Sequence, residues 1–311
     1  MSLRQSIAYR FYLYQKERFP FLAHGLLIAV FSFSAVSYSR ICRGMEDFIP
    51  LKVFLPGIFT TITFFLLLRI SDEFKDASED KQFRPYLPVP RGLITLKELK
   101  WIAIIVVLMQ LLIQLWAFPS MLGLYALAFL YLGLMTVEFF VPNWLKKKQL
   151  IYVASHMMII PLIDIYAAGL DWHISKAEAP HGLVFFLAVS YMNGVVIEFG
   201  RKIKPAHKEE EGVVTYSKLY GPDRAALYWI IVLLLTLALS FAASAFAGHG
   251  FWTYLVLLVL FIFCSLPAIV FMRNKREKLG KMIESASGIW TIGMYLILGG
   301  APMIEKLISS L

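Results

Sequence analysis

Long apolar runs, interrupted by short polar segments, dominate the pattern along this chain. A helix that crosses a lipid bilayer needs about 20 mostly apolar residues. Nine stretches meet that requirement, near residues 21–38, 51–70, 101–117, 120–140, 150–169, 182–199, 225–247, 251–271 and 286–305. Proline or glycine residues lie between many of them, as is expected where helices end. The pattern predicts an all-α integral membrane protein whose nine transmembrane helices form one bundle, a single domain over residues 1–311.

The segment before the first apolar run has a different pattern. Residues 1–18 are polar, aromatic and basic, and no small-residue cleavage site follows them. We therefore expect a retained helix that lies at the membrane interface.

The composition excludes several other classes of protein. Apolar residues make up 59% of the chain and charged residues only 16%, whereas soluble domains carry roughly 25% charged residues. The net charge of +9 does not indicate a nucleic-acid partner, because too little polar surface remains for a duplex-binding face. The two cysteines, Cys42 and Cys264, are too few for a disulfide framework and lack zinc-site spacing.

The basic residues are distributed unequally between the predicted connecting segments. Of the 30 Lys and Arg residues, 25 lie before the first span or after the even-numbered spans. Short loops rich in Lys and Arg stay in the cytoplasm. The distribution therefore predicts a cytoplasmic N-terminus and a C-terminus on the opposite side of a cytoplasmic or inner membrane.

A regular acidic pattern follows the second span. Asp72, Asp76 and Asp80 recur every four residues, so on a helix their carboxylates would line one stripe. Like charges at this spacing repel one another, and Mg²⁺ bound by carboxylates and substrate phosphates would relieve that repulsion. The alternative is a solvated acidic face balanced by Lys75 and Lys81. We favour the metal site because a proline-rich segment, 84–92, follows at the membrane boundary.

These residues resemble the UbiA-type intramembrane prenyltransferase superfamily. The pattern Asp72-Glu73-x-x-Asp76-x-x-x-Asp80 resembles its first motif, with Asp72 in the family's Asn place, and 87–95 resembles the segment that follows. The resemblance implies a charged cytoplasmic cap over a lipid-open cavity. It also implies an isoprenyl diphosphate that binds through Mg²⁺ and ionises at its C–O bond. The family's usual Arg falls on Leu87, so Arg84 or Arg91 would supply that charge.

The second family motif is altered in this chain. Gly212-Val-Val-Thr215 and Gly221 fit its end, but its expected Asp places hold Lys204 and Lys208. Either an insertion displaces the acidic ligands, or this half binds the diphosphate with cations. We expect Glu198, Arg201 and Lys202 to take this role, with Glu198 catalytic alongside Asp72 and Asp76. The acidic run 209–211 is expected to be solvated.

Other polar residues are weaker candidates. One of the three lysines 146–148, represented by Lys146, would contact the diphosphate, unless these residues only anchor the topology. Glu138 and Asn193 would border the pocket. His156 and Asp164 are expected to form structural polar contacts, because ionisable groups at membrane depth usually face the protein interior.

Three functions remain open on this basis. The resemblance implies prenyl transfer from an isoprenyl diphosphate to a lipid or aromatic acceptor, with membrane lipids around the chain. A terpene cyclase of the same superfamily, in which the prenyl chain captures its own cation, is the second candidate. A transporter is a remote alternative, because the charges cluster in two loops and not along a path at the midplane.

Overall fold

The computed structural model describes residues 6–209 and 214–309, and every regular element in these two ranges is helical. The α-helices are α1 (Ile7–Arg18), α2 (Phe21–Cys42), α3 (Leu51–Lys75), α4 (Ala77–Phe83), α5 (Leu96–Ala117), α6 (Leu122–Thr136), α7 (Pro142–Lys147), α8 (Gln149–Met157), α9 (Ile159–Trp172), α10 (Leu183–Gly200), α11 (Tyr216–Tyr220), α12 (Pro222–Phe246), α13 (Phe251–Arg273), α14 (Glu277–Tyr295) and α15 (Ala301–Ser309).

Within these ranges, nine helical segments are long and apolar enough to cross a membrane. They are Phe21–Cys42, Leu51–Lys75, Leu96–Ala117, Pro119–Thr136, Gln149–Trp172, Leu183–Gly200, Pro222–Phe246, Phe251–Arg273 and Glu277–Ser309. Each corresponds to one predicted span, so the predicted all-α architecture with nine membrane-spanning helices is confirmed.

Several spans begin or end at different residues from those predicted. The third begins at Leu96 because Thr95 and Glu98 form a capping box that starts the helix before its apolar face. The fourth ends at Thr136 and not at 140, because Glu138, Phe139 and Phe140 have positive φ angles of 50°, 52° and 62°. Glu138 therefore lies in a tight turn beyond the span, where a helix cannot continue.

The ninth span is the longest and the least regular. It runs from Glu277 to Ser309 and contains a π-helical turn at Leu296–Gly300. At this turn the chain approaches α2 closely: a Cβ on Gly299 would lie 2.1 Å from the carbonyl oxygen of Ser34. Only glycine allows such an approach between two helix backbones.

Helix α10 occupies the centre of the bundle. It packs against α9, α12 and α14, and it is the most buried of the described spans. Gly200 at its end lies against Ser287 of α14, where a Cβ would come within 1.9 Å of the serine hydroxyl. The residues just beyond this end are therefore fixed close to α14.

A buried polar network joins α3, α5, α6 and α9. The Gln110 amide donates to the Thr63 hydroxyl at 2.8 Å and accepts from Tyr125 at 3.2 Å. The Gln114 amide donates to the Tyr166 hydroxyl at 2.8 Å. These hydrogen bonds satisfy polar groups that would otherwise be costly inside an apolar bundle.

Helix α1 lies against the segment that contains the first acidic motif. Its Arg10 binds Glu98 through two hydrogen bonds of 2.9 and 2.5 Å, while Glu17 accepts two from Arg91 at 2.9 and 2.6 Å. Tyr14 is fully buried on the inner face, whereas Tyr9 and Tyr12 on the outer face are exposed. This two-faced pattern suits a helix at a membrane interface.

Candidate active site

The first acidic motif lies where α3 ends and α4 begins. Asp72 is in the last turn of α3, and Asp76 is the residue between the two helices. The Asp76 amide donates to the Asp72 carbonyl at 2.9 Å, and the Asp80 amide donates to the Asp76 carbonyl at 2.8 Å. The four-residue stepping of the motif therefore continues through the junction.

Asp72 and Asp76 of the motif are available to a ligand. The Asp72 side chain is 41% exposed, and its nearest cation, Arg69, is 3.7 Å away. Asp76 forms no ion pair within the described ranges. Asp72 also lies within electrostatic range of Arg201 from the second loop, so the two charged loops approach each other here.

The second loop contributes a compact charged group at the end of α10. Glu198 is almost completely buried and binds Lys202 at 2.8 Å and also Arg201. Partial desolvation by the surrounding protein lowers the pKa of the Arg201 guanidinium, but the carboxylates of Glu198 and Asp72 raise it overall. Arg201 is 53% exposed on its side chain and therefore remains accessible to an anion. We call Asp72, Asp76, Glu198, Arg201 and Lys202 the charged mouth.

A second buried group lies beside the charged mouth. The Lys75 ammonium is 3.1 Å from the Glu138 carboxylate, 3.1 Å from His156 Nε2 and 3.5 Å from the Tyr152 hydroxyl. His156 Nε2 is also 3.3 Å from Glu138. From the sequence, Glu138 is expected at the pocket border and His156 in a polar contact, but nothing there assigns Lys75 or Tyr152 to this group. The position of Lys75 between Asp72 and Asp76 places it at the motif, but no local pattern indicates its contact with Glu138.

Three of the predicted diphosphate ligands are ion-paired with residues outside the charged mouth. Arg84 binds Asp80 at 2.5 Å, Arg91 binds Glu17, and Lys146 binds Glu79 at 2.5 Å. Asp80 is nearly inaccessible, and burial raises the pKa of its carboxyl against the opposing effect of Arg84. The hydrogen bond that Lys146 donates to Glu79 raises the pKa of the lysine ammonium.

Glu73, in the first Asp place of the motif, is buried under α1. Its carboxylate accepts a 2.7 Å hydrogen bond from Arg18 and a 3.1 Å hydrogen bond from Arg69. The side chain is 1% exposed. This carboxylate therefore connects α1 to α3 and is not open to a ligand.

The acidic run of the second loop lies partly outside the described residues, which exclude Glu210, Glu211 and Gly212. Glu209, the described residue of the run, accepts a 2.6 Å hydrogen bond from Thr215. Lys208, in an expected Asp place of the second motif, binds Glu277 at 3.1 Å. Lys208 therefore contacts α14 and not the charged mouth.

An apolar cavity of about 200 Å³ lies deeper in the bundle than the charged mouth. Residues of α2, α3, α9, α10 and α14 line it, among them Phe31, Phe65, Ile160, Asn193, Ile197 and Tyr295. Phe65 precedes Asp72 by seven residues, which corresponds to about 10 Å along α3. A second apolar groove of about 410 Å³ lies between α3, α5 and α6.

The carboxylates of the charged mouth fit a magnesium ion only if other ligands complete its coordination. In the part of the chain that is described, no three acidic, histidine or cysteine side chains converge to hold a metal by themselves. Mg²⁺ commonly binds one or two protein carboxylates and takes its other ligands from phosphates and water. Asp72 and Asp76, one turn apart and without a tight ion pair, suit that arrangement.

The chain belongs to the UbiA prenyltransferase family, whose profile matches residues 27–283. The expected family resemblance is therefore confirmed, and the family together with the nine apolar helices of the described ranges supports an integral membrane protein. It also supports intramembrane prenyl transfer in general. No curated protein sequence matches the chain.

A solved structure shows a similar fold. It is described as digeranylgeranylglyceryl phosphate synthase in membranes, and it matches with a TM-score of 0.60 and 16% sequence identity. The match covers 90% of this chain and 99% of the other. At this identity the likeness concerns the fold.

Proposed function

We propose that this protein transfers a prenyl group from an isoprenyl diphosphate to a lipid or aromatic acceptor inside the membrane, with Mg²⁺ as cofactor. The observation that carries this proposal is that α3 and α10 each connect the two regions. Phe65 and Ile197 line the apolar cavity, and Asp72 and Glu198 of the charged mouth follow them on the same helices. Exposed Asp72 and Arg201 come from two loops far apart in sequence and lie within electrostatic range of each other. An amphiphile with an anionic head and a hydrocarbon tail fits both environments.

The cations of the second loop would hold the diphosphate. Arg201 can donate two parallel hydrogen bonds to phosphate oxygens, and Lys202 provides a compact positive charge. Glu198 binds both side chains and thereby fixes their positions before the substrate arrives. Interactions that strengthen as the leaving group gains charge favour cleavage of the C–O bond.

The acids of the first loop would hold the metal. Asp72 and Asp76 would be its protein ligands, and a bound Mg²⁺ would neutralise charge that develops on the diphosphate. Lys75, between them, is held by Glu138 and His156. The contacts of Lys75 with Glu138 and His156 fix the end of α3, and this end positions Asp72 and Asp76.

The cavity would receive the prenyl segment next to the diphosphate. Its apolar lining excludes water, which would otherwise capture the allylic cation. The rings of Phe31 and Phe65 lie on its wall and can stabilise a nearby cation through their π faces.

A product assay tests the proposal. The purified chain is incubated with Mg²⁺ and geranyl, farnesyl or geranylgeranyl diphosphate, with and without a lipid extract or a hydroxylated aromatic acceptor. We expect a prenylated product that requires the acceptor. A cyclic hydrocarbon or alcohol formed without any acceptor would show that the protein cyclises the prenyl chain and does not transfer it. No consumption of any diphosphate under either condition would contradict both enzymatic functions.

A further inference from the structure

An apolar groove of about 410 Å³, between α3, α5 and α6, lies outside the proposed active site. Its lining is apolar except at one end, where Lys100 and the hydrogen-bonded pair Ser71 and Thr136 lie. Phe74 and Leu108 on its wall are 39% and 55% exposed, so the groove opens towards the surrounding lipid. We call it the lateral groove.

The lateral groove and the apolar cavity lie on opposite sides of α3. Successive residues of an α-helix are about 100° apart, which places Phe74 of the groove about 180° from Phe65 of the cavity. Asp72 is only about 20° from Phe65 in the same projection. An occupant of the lateral groove is therefore separated from the charged mouth by the body of α3.

The length of the lateral groove matches one acyl chain in one leaflet. On α5 the groove runs from Lys100 to Leu108, and on α6 it runs from Thr136 back to Phe129. Eight residues of α-helix rise by about 12 Å, and one leaflet contributes about 15 Å of the hydrocarbon core. The groove thus covers most of the depth of one leaflet and does not cross to the other.

Lys100 supplies a positive charge at the head of the groove. It is exposed in the second turn of α5 and has no ion-pair partner in the part of the chain that the structure describes. Trp101 beside it is 57% exposed, and Lys and Trp side chains at the end of a spanning helix lie at the level of the lipid headgroups. An ammonium group above an apolar groove complements a lipid phosphate whose acyl chain lies in that groove.

We propose that the lateral groove binds one anionic glycerophospholipid, with an acyl chain between α3, α5 and α6 and the phosphate on Lys100. The lipid is a structural ligand and not a substrate, because α3 separates it from the charged mouth. Only 22% and 28% of the apolar stretches of the third and fourth spans are buried inside the bundle. A lipid seated between these spans adds packing that the protein itself does not supply.

Native mass spectrometry of the full chain, released from detergent micelles, tests this site. The protein is titrated with phosphatidylglycerol or with phosphatidylcholine of the same acyl chains, so that the two ligands differ in headgroup charge. We expect the first phosphatidylglycerol to bind about fivefold more tightly, which is the contribution of one lysine near the headgroups. Lys100→Gln should remove this preference, and the exposed control Lys278→Gln should keep it.

A second variant tests the groove itself. Gly133 lines the groove, and a Cβ there would meet no atom within 4 Å, so Gly133→Leu places a side chain in the open space. We expect it to bind both lipids severalfold more weakly, with no loss of thermal stability in lipid-free detergent, because leucine favours a helix more than glycine does. Gly123→Leu is the matched control: Gly123 is equally unobstructed on the same helix but does not line the groove. It should bind both lipids as the wild type does.

Three results would overturn the proposal. The first is equal affinity of the wild type for the two lipids, or a preference that Lys100→Gln leaves unchanged. The second is displacement of bound phosphatidylglycerol by farnesyl diphosphate, which would make the groove part of a substrate site. The third is a lipid-free dimer that Gly133→Leu converts to a monomer, which would show that a second copy of the chain covers the groove. None of these measurements depends on prenyl transfer, so this inference and the proposed function can fail separately.

Discussion

At the scale of single residues, Lys75 is the least expected part of the site. Its side chain is 5% exposed and lies between two acids of a motif that we propose to bind metal. A lone ammonium ion at this position would be strongly destabilised, but Glu138, His156 and Tyr152 surround it. The positive φ angle of Glu138 brings its carboxylate into this contact.

Removing Lys75 alone should lower the stability of the protein, whereas removing both Lys75 and Glu138 should restore most of it. We expect Lys75→Met to lower the free energy of unfolding by about 3 kcal/mol, because it leaves the Glu138 carboxylate buried without its cation. The double variant Lys75→Met/Glu138→Leu should recover most of that loss. Thermal unfolding of the wild type, Lys75→Met, Glu138→Leu and the double variant in the same detergent measures the coupling. Strictly additive effects would show that the two residues do not interact.

Some residues of the site can be predicted from the sequence, and others cannot, for physical reasons. Asp72, Asp76, Arg201 and Lys202 can be found because charged residues are rare in this chain and cluster at the ends of apolar runs. The contact between Lys75 and Glu138 joins positions 63 residues apart. No local pattern encodes it. Glu73 and Asp80 share the motif spacing, but α1 and Arg84 bind them, which only the tertiary structure reveals.

At the scale of elements, the apolar runs predict the number of spans well and their ends less well. The early start of α5 is readable in the Thr95–Glu98 capping box, which precedes the apolar run. The end of α6 is not readable, because three successive residues with positive φ are neither glycine nor asparagine. The π-helical turn in the ninth span has no clear sequence signal either.

Helix α1 has a structural role that its sequence alone does not show. Arg18 reaches the buried Glu73 at the end of α3, and Glu17 and Arg10 bind Arg91 and Glu98. The helix therefore holds together both sides of the segment between the second and third spans. Its contacts stabilise the end of α3 that carries Asp72.

Removal of the Arg18 contact should loosen this end of α3. We expect Arg18→Gln to increase amide hydrogen exchange in residues 69–83 severalfold, because Glu73 keeps only its contact to Arg69. Hydrogen exchange followed by mass spectrometry measures this directly. The control is Lys16→Gln, an exposed position on the same helix. Equal exchange in both variants would mean that α1 does not stabilise the motif.

At the scale of the whole molecule, two loops separated by four predicted spans meet beside one cavity. The net charge of +9 is concentrated in the segments at the N-terminal side of the membrane, where the cations of the charged mouth lie. The positive-inside distribution predicts that this side is cytoplasmic, which remains a prediction. The family match and the fold support prenyl transfer in general. The proposal that is specific to this chain is that the charged mouth binds the diphosphate together with Mg²⁺.

Binding of a stable substrate analogue tests this claim most directly. Geranylgeranyl S-thiolodiphosphate, whose C–S bond resists ionisation, is titrated into the full chain in micelles with Mg²⁺ or with a chelator. We expect Mg²⁺-dependent binding that weakens roughly 10- to 100-fold in Asp76→Asn and in Arg201→Gln, because each removes a charged contact. The exposed controls Glu284→Gln and Lys278→Gln should bind as the wild type does. Binding that is absent, or that is unchanged in Asp76→Asn and Arg201→Gln, would contradict the proposed role of the charged mouth in binding the diphosphate.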